Sequence, residues 1–368
     1  MPLLPRSSWR WVVSGVAPAV AVRRCCACAC ALGALLCWFF FMPPAALAAP
    51  VFPLPELAPQ GAATPARFPE RAFSLTVSAT KGSPETLFFA AMQENFSRTV
   101  PGRFLVEYAP GRGGAYAVNA LLTKPTDGYA AAVAVLPAFL LQTYLNNRLY
   151  TLEDAVPVCM LAAMRTALWV DAASPYQTLE DLLVDVRSRP AGSVFMSGIG
   201  SYSGHHMVHM LFERSAGVVV AYMPFMGTKD SSQAVRQGVA LACWGAALSP
   251  ETMPGMRPLA VAAEARVGVL PQVPTFQEVG IDLVHRQYMG IVVPAATVAT
   301  VQEKVAAFFL EQAREPAFAA KAAGIGYELH PVPLADIPAF MAAQQTAVDA
   351  FLADYTMIAP EDARPSLP

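Results

Sequence analysis

The sequence is poor in charged residues and has no excess of basic ones. Charged residues make up 14% of its 368 positions, where roughly 25% is usual in soluble domains. Its 25 Lys and Arg do not outnumber its 27 Asp and Glu, and no long Lys/Arg run occurs. The basic surface that nucleic-acid binding requires is therefore missing, and a hydrophobic content of 55% excludes a disordered chain. We expect no nucleic-acid partner.

Cysteine is scarce beyond the first fifty residues. Seven cysteines occur, and five of them fall within residues 1–48, which leaves Cys159 and Cys243. Both stand in apolar, strand-like stretches, so we favour two buried free thiols, with a disulfide as the alternative. No Cys/His spacing typical of zinc is present. We expect neither a metal nor a cofactor.

The N-terminal segment, residues 1–48, has the pattern of a secretory signal. It contains four arginines and no acid, then an unbroken apolar or small run over residues 25–41 and an A-x-A-like site ending at Ala48. We predict cleavage after Ala48 and export to the periplasm. A retained membrane anchor is the alternative, because the 17-residue run nearly spans a bilayer. No second run of ~18 apolar residues follows, which predicts a soluble mature chain.

Strand-like and helical segments alternate along the rest of the chain. Residues 49–69 are rich in proline and predict an extended tether. From Phe73 onward, short apolar or β-branched runs alternate with amphipathic helical stretches. The predicted strands include residues 167–170 and 289–293. The predicted helices are residues 84–99, 115–123, 137–145, 179–188, 205–215, 231–237, 275–279, 299–315, 316–323 and 334–355. This alternation indicates an α/β fold with mostly parallel sheets.

Three strand-to-helix joints share one design. They span residues 80–84, 198–204 and 224–228, and each combines Gly, Ser, Thr or Pro just before a predicted helix. Such joints place unpaired backbone N–H groups and the positive end of a helix dipole at the C-terminal edge of a sheet, where ligands bind. Joints that face one another would form a cleft for a carboxylate. The alternative is ordinary βα loops, in which glycine and serine are common.

In their order and spacing, six stretches resemble the solute receptors of tripartite tricarboxylate transporters, the Bug or TctC-like family. Together they extend over about residues 73–355. The stretches are residues 77–86, 109–114, 125–129, 197–201, 223–227 and 270–280. Lys81 and the Ser83-Pro84 pair depart from the glycine run of the first family loop, and Thr86 stands where an aspartate is expected.

The resemblance implies a type II, Venus-flytrap periplasmic binding protein with two domains and a doubly crossed hinge. The first domain would comprise residues 70–168 plus 288–368, and the second residues 169–287. It further implies a small organic anion, carboxylate or amino-acid-like, held by backbone amides of loops 80–86 and 197–203. The receptor would deliver this ligand to membrane permease subunits or present it to a sensor kinase. We expect a monomer and no enzyme.

The candidate ligand-binding residues come from these two loops and from one tryptophan. Lys81 is one of five lysines and is interpreted as a cation for the ligand, with a solvated loop lysine as the alternative. Trp244 is interpreted as lining the cleft, with a core role as the alternative. The full set is Thr80, Lys81, Gly82, Ser83, Thr86, Ser197, Gly198, Gly200, Ser201, Ser203 and Trp244.

Two other chemistries are weaker interpretations of the second joint. His205 and His209 lie four residues apart, but no Glu or third ligand completes the H-E-x-x-H pattern of a zinc site. An exported hydrolase built on Ser203 and His206 stays open, although the sequence indicates no acid partner for it.

Overall fold

The computed structural model describes residues 68–99 and 104–358. The predicted signal segment, residues 1–48, lies outside the described residues, as does the predicted tether up to residue 67. Strands and helices alternate over the described part. The strands are β1 (Phe73–Val77), β2 (Phe104–Tyr108), β3 (Ala130–Leu136), β4 (Ala155–Asp171), β5 (Phe195–Ile199), β6 (Ala221–Phe225), β7 (Ala242–Ala246), β8 (Met256–Val261), β9 (Arg286–Pro294) and β10 (Glu328–Val332).

The helices follow the predicted positions closely. Short 3-10 turns replace the predicted helix over residues 275–279 and the end of the one over residues 137–145. The α-helices are α1 (Pro84–Thr99), α2 (Ala115–Leu121), α3 (Ala138–Leu141), α4 (Leu179–Ser188), α5 (Gly204–Ala216), α6 (Thr228–Arg236), α7 (Ala299–Arg314), α8 (Pro316–Ile325) and α9 (Ile337–Ile358). The fold is a mixed α/β fold, in agreement with the predicted class.

The sheet is mixed, so the prediction of mostly parallel strands is wrong. Its strand order is β2-β1-β3-β9-β4-β7-β5-β6, with β8 and β10 also paired to β4. β1 is parallel to β2 and β3, and β5 is parallel to β6 and β7. β9 and β4 run antiparallel to all their partners in the sheet. β9 and β4 therefore lie between the two parallel groups of strands.

Strand β4 is the longest strand of the described chain and joins the two halves of the sheet. The sequence prediction recognised only residues 167–170 of its 17 residues. Residues 155–165 pair with β9, whereas residues 166–171 pair with β7 and β8. One continuous strand therefore positions the β1–β3 group and the β5–β7 group.

The core consists of separate clusters around the two ends of β4. One is rich in phenylalanine and packs α1, α7 and α8 on β1, β2 and β9. Another packs α4 and α5 on β5, β7 and β8. Cys159 and Cys243 are both buried free thiols, as predicted. The predicted domain boundaries after residues 168 and 287 stay a prediction.

Four histidines lie around the start of α5 and near β9; His205, His209 and His285 are buried, and His206 is half-buried. Burial lowers the pKa of His205, His206 and His209 to about 4. Burial, and then the nearby His205, lowers the pKa of His285 to about 3. All four rings are neutral at pH 7 because charging them would require water that the core excludes.

We expect Gly290→Ala to destabilise the fold and Gly324→Ala to stabilise it. A Cβ at Gly290 would lie 2.5 Å from the carbonyl oxygen of Cys159 and 2.5 Å from Sδ of Met160, so β9 would have to move from β4. Overpacking of this kind costs about 1–3 kcal/mol. Gly324 lies in α8 with open space around it, and alanine there gains up to about 1 kcal/mol of helix propensity. Urea unfolding measures both changes, and equal stability of the two variants would contradict the packing of β9.

We expect the free energy of unfolding to fall as the pH is lowered from 7 to 5. The unfolded chain binds protons on His205, His206, His209 and His285 below pH 6.5, whereas the folded rings stay neutral down to about pH 4. Each ring then costs about 2 kcal/mol of stability at pH 5. Glu85, whose pKa is raised to about 7, and Glu213, whose pKa burial also raises, act in the opposite direction but are two groups against four. Urea titrations at both pH values measure the difference, and a flat profile would contradict it.

Candidate functional site

The three predicted joints meet at one cavity of about 90 Å³. β1 leads into α1, β5 into α5 and β6 into α6, so all three helices begin beside this cavity. Thr80 and Ser83 come from the first joint, Ile199, Ser203 and Gly204 from the second, and Met226, Gly227 and Thr228 from the third. Ser78, Ala79 and Glu85 beside the first joint and His205 beside the second also line the cavity. The Gly/Ser corners therefore face a shared space.

The first joint is held by its own hydrogen bonds. The Thr86 hydroxyl oxygen accepts from the backbone N–H of Gly82 at 2.9 Å and donates to the carbonyl of Ser83 at 2.9 Å. The backbone N–H of Ser83 donates to the carbonyl of Thr80 at 3.0 Å. Gly82 has φ +85°, a left-handed conformation that favours glycine. These contacts turn the chain sharply into α1.

The second joint ends in an N-cap. The Ser203 hydroxyl oxygen accepts from the backbone N–H of His206 at 3.2 Å, and the hydroxyl also contacts the carbonyls of Ile199 and Gly200. Ser203 Oγ is thus engaged by backbone groups. The His206 ring instead stacks on Tyr222 with ring centres 4.5 Å apart, and its Nδ1 accepts from the backbone N–H of Tyr202. This geometry favours capping over the Ser203–His206 hydrolase interpretation.

The third joint leaves its helix without a side-chain cap. Gly227 is the N-cap of α6, and within the described chain no side chain caps the first amides of that helix. A Cβ on Gly227 would lie 2.8 Å from the hydroxyl oxygen of Thr80, so the first and third joints approach closely here. The unpaired N–H groups and the positive helix end beside the cavity favour a negatively charged group.

Glu85 is the carboxyl group among the cavity residues, and the sequence analysis did not select it. Its side chain is buried in the first turn of α1. Burial raises its pKa to about 7, against the opposing effect of Ser78, whose backbone N–H donates to the carboxylate at 2.8 Å and whose hydroxyl donates at 3.0 Å. It stands one residue before Thr86, where the family pattern led us to expect an aspartate.

A polar chain from β4 and β9 supports the second joint. Gln287 lines the cavity and lies directly against Gly204, where a Cβ would be 2.2 Å from its Oε1. Its Nε2 donates to the Thr166 hydroxyl oxygen at 3.2 Å, and that hydroxyl contacts Nδ1 of His285 at 3.1 Å. Nε2 of His285 is buried and has no hydrogen-bond partner in the described residues. The central strands therefore set the position of α5.

A larger groove of about 650 Å³ adjoins the cavity, and Met226 lines both. The buried Gln142 bridges this groove, since its Nε2 donates to the carbonyls of Ser201 and Tyr202 at 3.2 and 3.3 Å. A Cβ on Gly113 would lie 2.6 Å from that Nε2, which explains why glycine stands there. Sequence reasoning missed Gln142 because a lone glutamine carries no motif.

The structure brings some of the predicted site residues together. Thr80, Ser83 and Ser203 line the cavity, and Gly200 and Ser201 line the adjoining groove. That these residues bind a ligand stays a prediction.

The other predicted residues lie away from the described lining of both spaces. Lys81 and Gly82 are exposed outside it, and Thr86 bonds within its own turn. Ser197 is buried, with its hydroxyl donating to the carbonyl of Ser231 at 3.0 Å. Gly198 packs against the Tyr222 hydroxyl. Lys81 is exposed, and its role as a cation for the ligand stays a prediction.

Trp244 belongs to the core, which corrects its interpretation as a cleft residue. Its side chain is fully buried against Phe212 and Phe276. Its indole N–H donates to Nδ1 of His209 at 3.1 Å, and Nε2 of His209 contacts the carbonyl of Val220 at 2.9 Å. Both ring nitrogens of His209 are thus used in packing the core.

The described residues contain neither a cluster of metal ligands nor a helix able to span a membrane. No three His, Cys, Asp or Glu side chains within them stand close enough together to hold a metal ion. Over the same part of the chain, every helix is too short or too polar to cross a bilayer.

Known proteins share this sequence pattern and this fold. A family model described as "Tripartite tricarboxylate transporter family receptor" matches residues 88–353. The "UPF0065 protein in gbd 5'region" of Cupriavidus necator is 26% identical over 241 residues, which are 65% of this chain and 73% of that protein.

Three solved structures have the same fold. The periplasmic binding protein BugD is 18% identical with a TM-score of 0.70, over 79% of this chain and 98% of that one. R. palustris Rpa4515 with adipate is 21% identical with a TM-score of 0.71, over 77% and 97%. MatC of Rhodopseudomonas palustris with bound malate is 22% identical with a TM-score of 0.68, over 77% and 98%. The chain therefore belongs to the tripartite tricarboxylate transporter family receptors, the periplasmic solute-binding proteins of the TctC or Bug type.

Proposed function

We propose that this receptor captures a small organic anion, either a carboxylate or an amino-acid-like compound, and delivers it to a tripartite tricarboxylate-type permease. The observation that supports this most is the meeting of three helix N-termini at one cavity. The described lining of this cavity contains no lysine or arginine, so the helix ends would have to stabilise the anion. Partial charges of helix ends stabilise an anion by up to about 2 kcal/mol each when partly buried. We further propose export to the periplasm, directed by residues 1–48.

Two lobes closing on the ligand fit the arrangement of the core. One group of clusters packs on β1–β3 and β9, and the other on β5–β8. We propose that these correspond to domains of residues 70–168 plus 288–368 and residues 169–287. The bonds from Gln142 to the second joint would then link the lobes across the groove.

The relatives support the ligand class. Rpa4515 was solved with adipate and MatC with malate, and both are small organic acids. We propose binding without chemical conversion, because the hydroxyl of Ser203 is held by backbone groups.

We expect a ligand of this class to raise the melting temperature of the purified receptor. Saturation at a hundred times the dissociation constant adds about 2.7 kcal/mol of stability, because the ligand binds only the folded chain. Differential scanning fluorimetry with a panel of carboxylates, amino acids and small amides measures the shift. A panel that leaves the melting temperature unchanged would contradict the proposed function.

We expect Gly204→Ala to weaken ligand binding about tenfold or more. The added Cβ would lie 2.2 Å from Oε1 of Gln287, so either Gln287 or the start of α5 must move at the cavity wall. Gly268→Ala is the matched control, because its Cβ meets nothing within 4 Å. Calorimetric titration of both variants with a ligand found by fluorimetry gives the affinities, and circular dichroism checks folding. Equal affinity of the two folded variants would argue against this cavity as the binding site.

A further inference from the structure

Glu85 is a charged group in a cavity that otherwise favours anions. Among the described lining residues it is the single carboxyl group, and no lysine or arginine accompanies it. It lies in the first turn of α1, where the positive helix end favours the ionised carboxylate. Ser78 adds a backbone N–H at 2.8 Å and a hydroxyl at 3.0 Å from the carboxylate oxygens. These fixed dipoles are oriented to hold a negative charge.

The carboxylate nevertheless lacks a countercharge. All of its hydrogen bonds in the described structure come from Ser78, although a carboxylate accepts about four. Among the described residues, His205 lines the same cavity and is neutral, and Tyr327 lies close to Glu85 with a buried hydroxyl that has no hydrogen-bond partner. A buried carboxylate without a cation is costly, which agrees with the raised pKa of Glu85. A cation supplied by the ligand would remove this cost.

We propose that Glu85 binds an ammonium group of the ligand, so that the receptor takes a small zwitterion whose carboxylate meets the N-termini of α5 and α6. This rests on the proposed function, in which the cavity holds the ligand. The two charge preferences then lie in one cavity: Glu85 for the cation, and the uncapped amides around Gly227 and Thr228 for the anion. A dicarboxylate without an amino group would instead bring negative charge next to Glu85, with no lysine or arginine on the described walls to offset it.

Matched pairs of ligands test this proposal. L-Aspartate and succinate differ in one ammonium group, and so do L-glutamate and glutarate, and 4-aminobutyrate and butyrate. Calorimetric titration of the purified receptor should show the amino member of at least one pair binding about tenfold to a hundredfold more tightly. In Glu85→Gln, which keeps the shape but loses the charge, that preference should shrink to about threefold or less.

Two control variants separate the effect of the Glu85 charge on binding from an effect of the substitution on folding. Glu153→Gln removes a carboxylate at an exposed position and should keep the full preference. Glu85→Asp retains the charge and should recover part of the preference if Glu85→Gln folds poorly.

The outcomes distinguish this proposal from the proposed function. One outcome is tighter binding of the nitrogen-free member, with the same or a larger preference in Glu85→Gln. This would show that a protonated Glu85 donates to a carboxylate. The zwitterion proposal would then be wrong, while the proposed receptor function would stand. A mass spectrum of ligand co-purified from the native periplasm gives an independent answer, since a nitrogen-free acid overturns the proposal and an amino compound supports it. Absence of any bound or binding compound would overturn both.

Discussion

The meeting of the starts of α1, α5 and α6 at one cavity is the feature on which the candidate site depends. A helix leaves its first N–H groups unpaired, and a buried helix start therefore needs an acceptor from a side chain, water or ligand. Ser83 supplies one for α1 and Ser203 supplies one for α5, whereas α6 begins at Gly227 with no side-chain acceptor among the described residues. A cavity bounded by such helix starts attracts an anion without any formal positive charge.

Close contact between the joints requires residues without side chains at particular places. Gly204 lies against Gln287, and Gly113 against Gln142, at distances that a Cβ would violate. Gly200 combines a left-handed φ of +51° with close approach to the backbone of Gly113. These glycines allow polar groups of different elements to come close together. They explain how so many polar residues line so small a cavity.

The antiparallel strands β4 and β9 carry this arrangement. They pair along most of the length of β9, and Thr166 and Gln287 project from them to contact His285 and the start of α5. The sequence analysis predicted residues 167–170 of β4 and residues 289–293 of β9, but neither the length of β4 nor the antiparallel direction of the two strands. Their apolar runs fit any buried strand, and pairing direction depends on partners distant in sequence.

Local sequence determined the elements and their joints. Pro84 and Ser83 fix the start of α1, the capping residues Thr178 and Ser203 fix α4 and α5, and the six family stretches indicate the receptor family, because these signals act within a few residues. Tertiary structure alone decided which side chains reach the cavity. It buried Trp244 in the core, left Lys81 in solvent and brought Glu85, Gln142 and Gln287 to the site. Side-chain environment depends on contacts between residues far apart in the chain, and no spacing or composition records them.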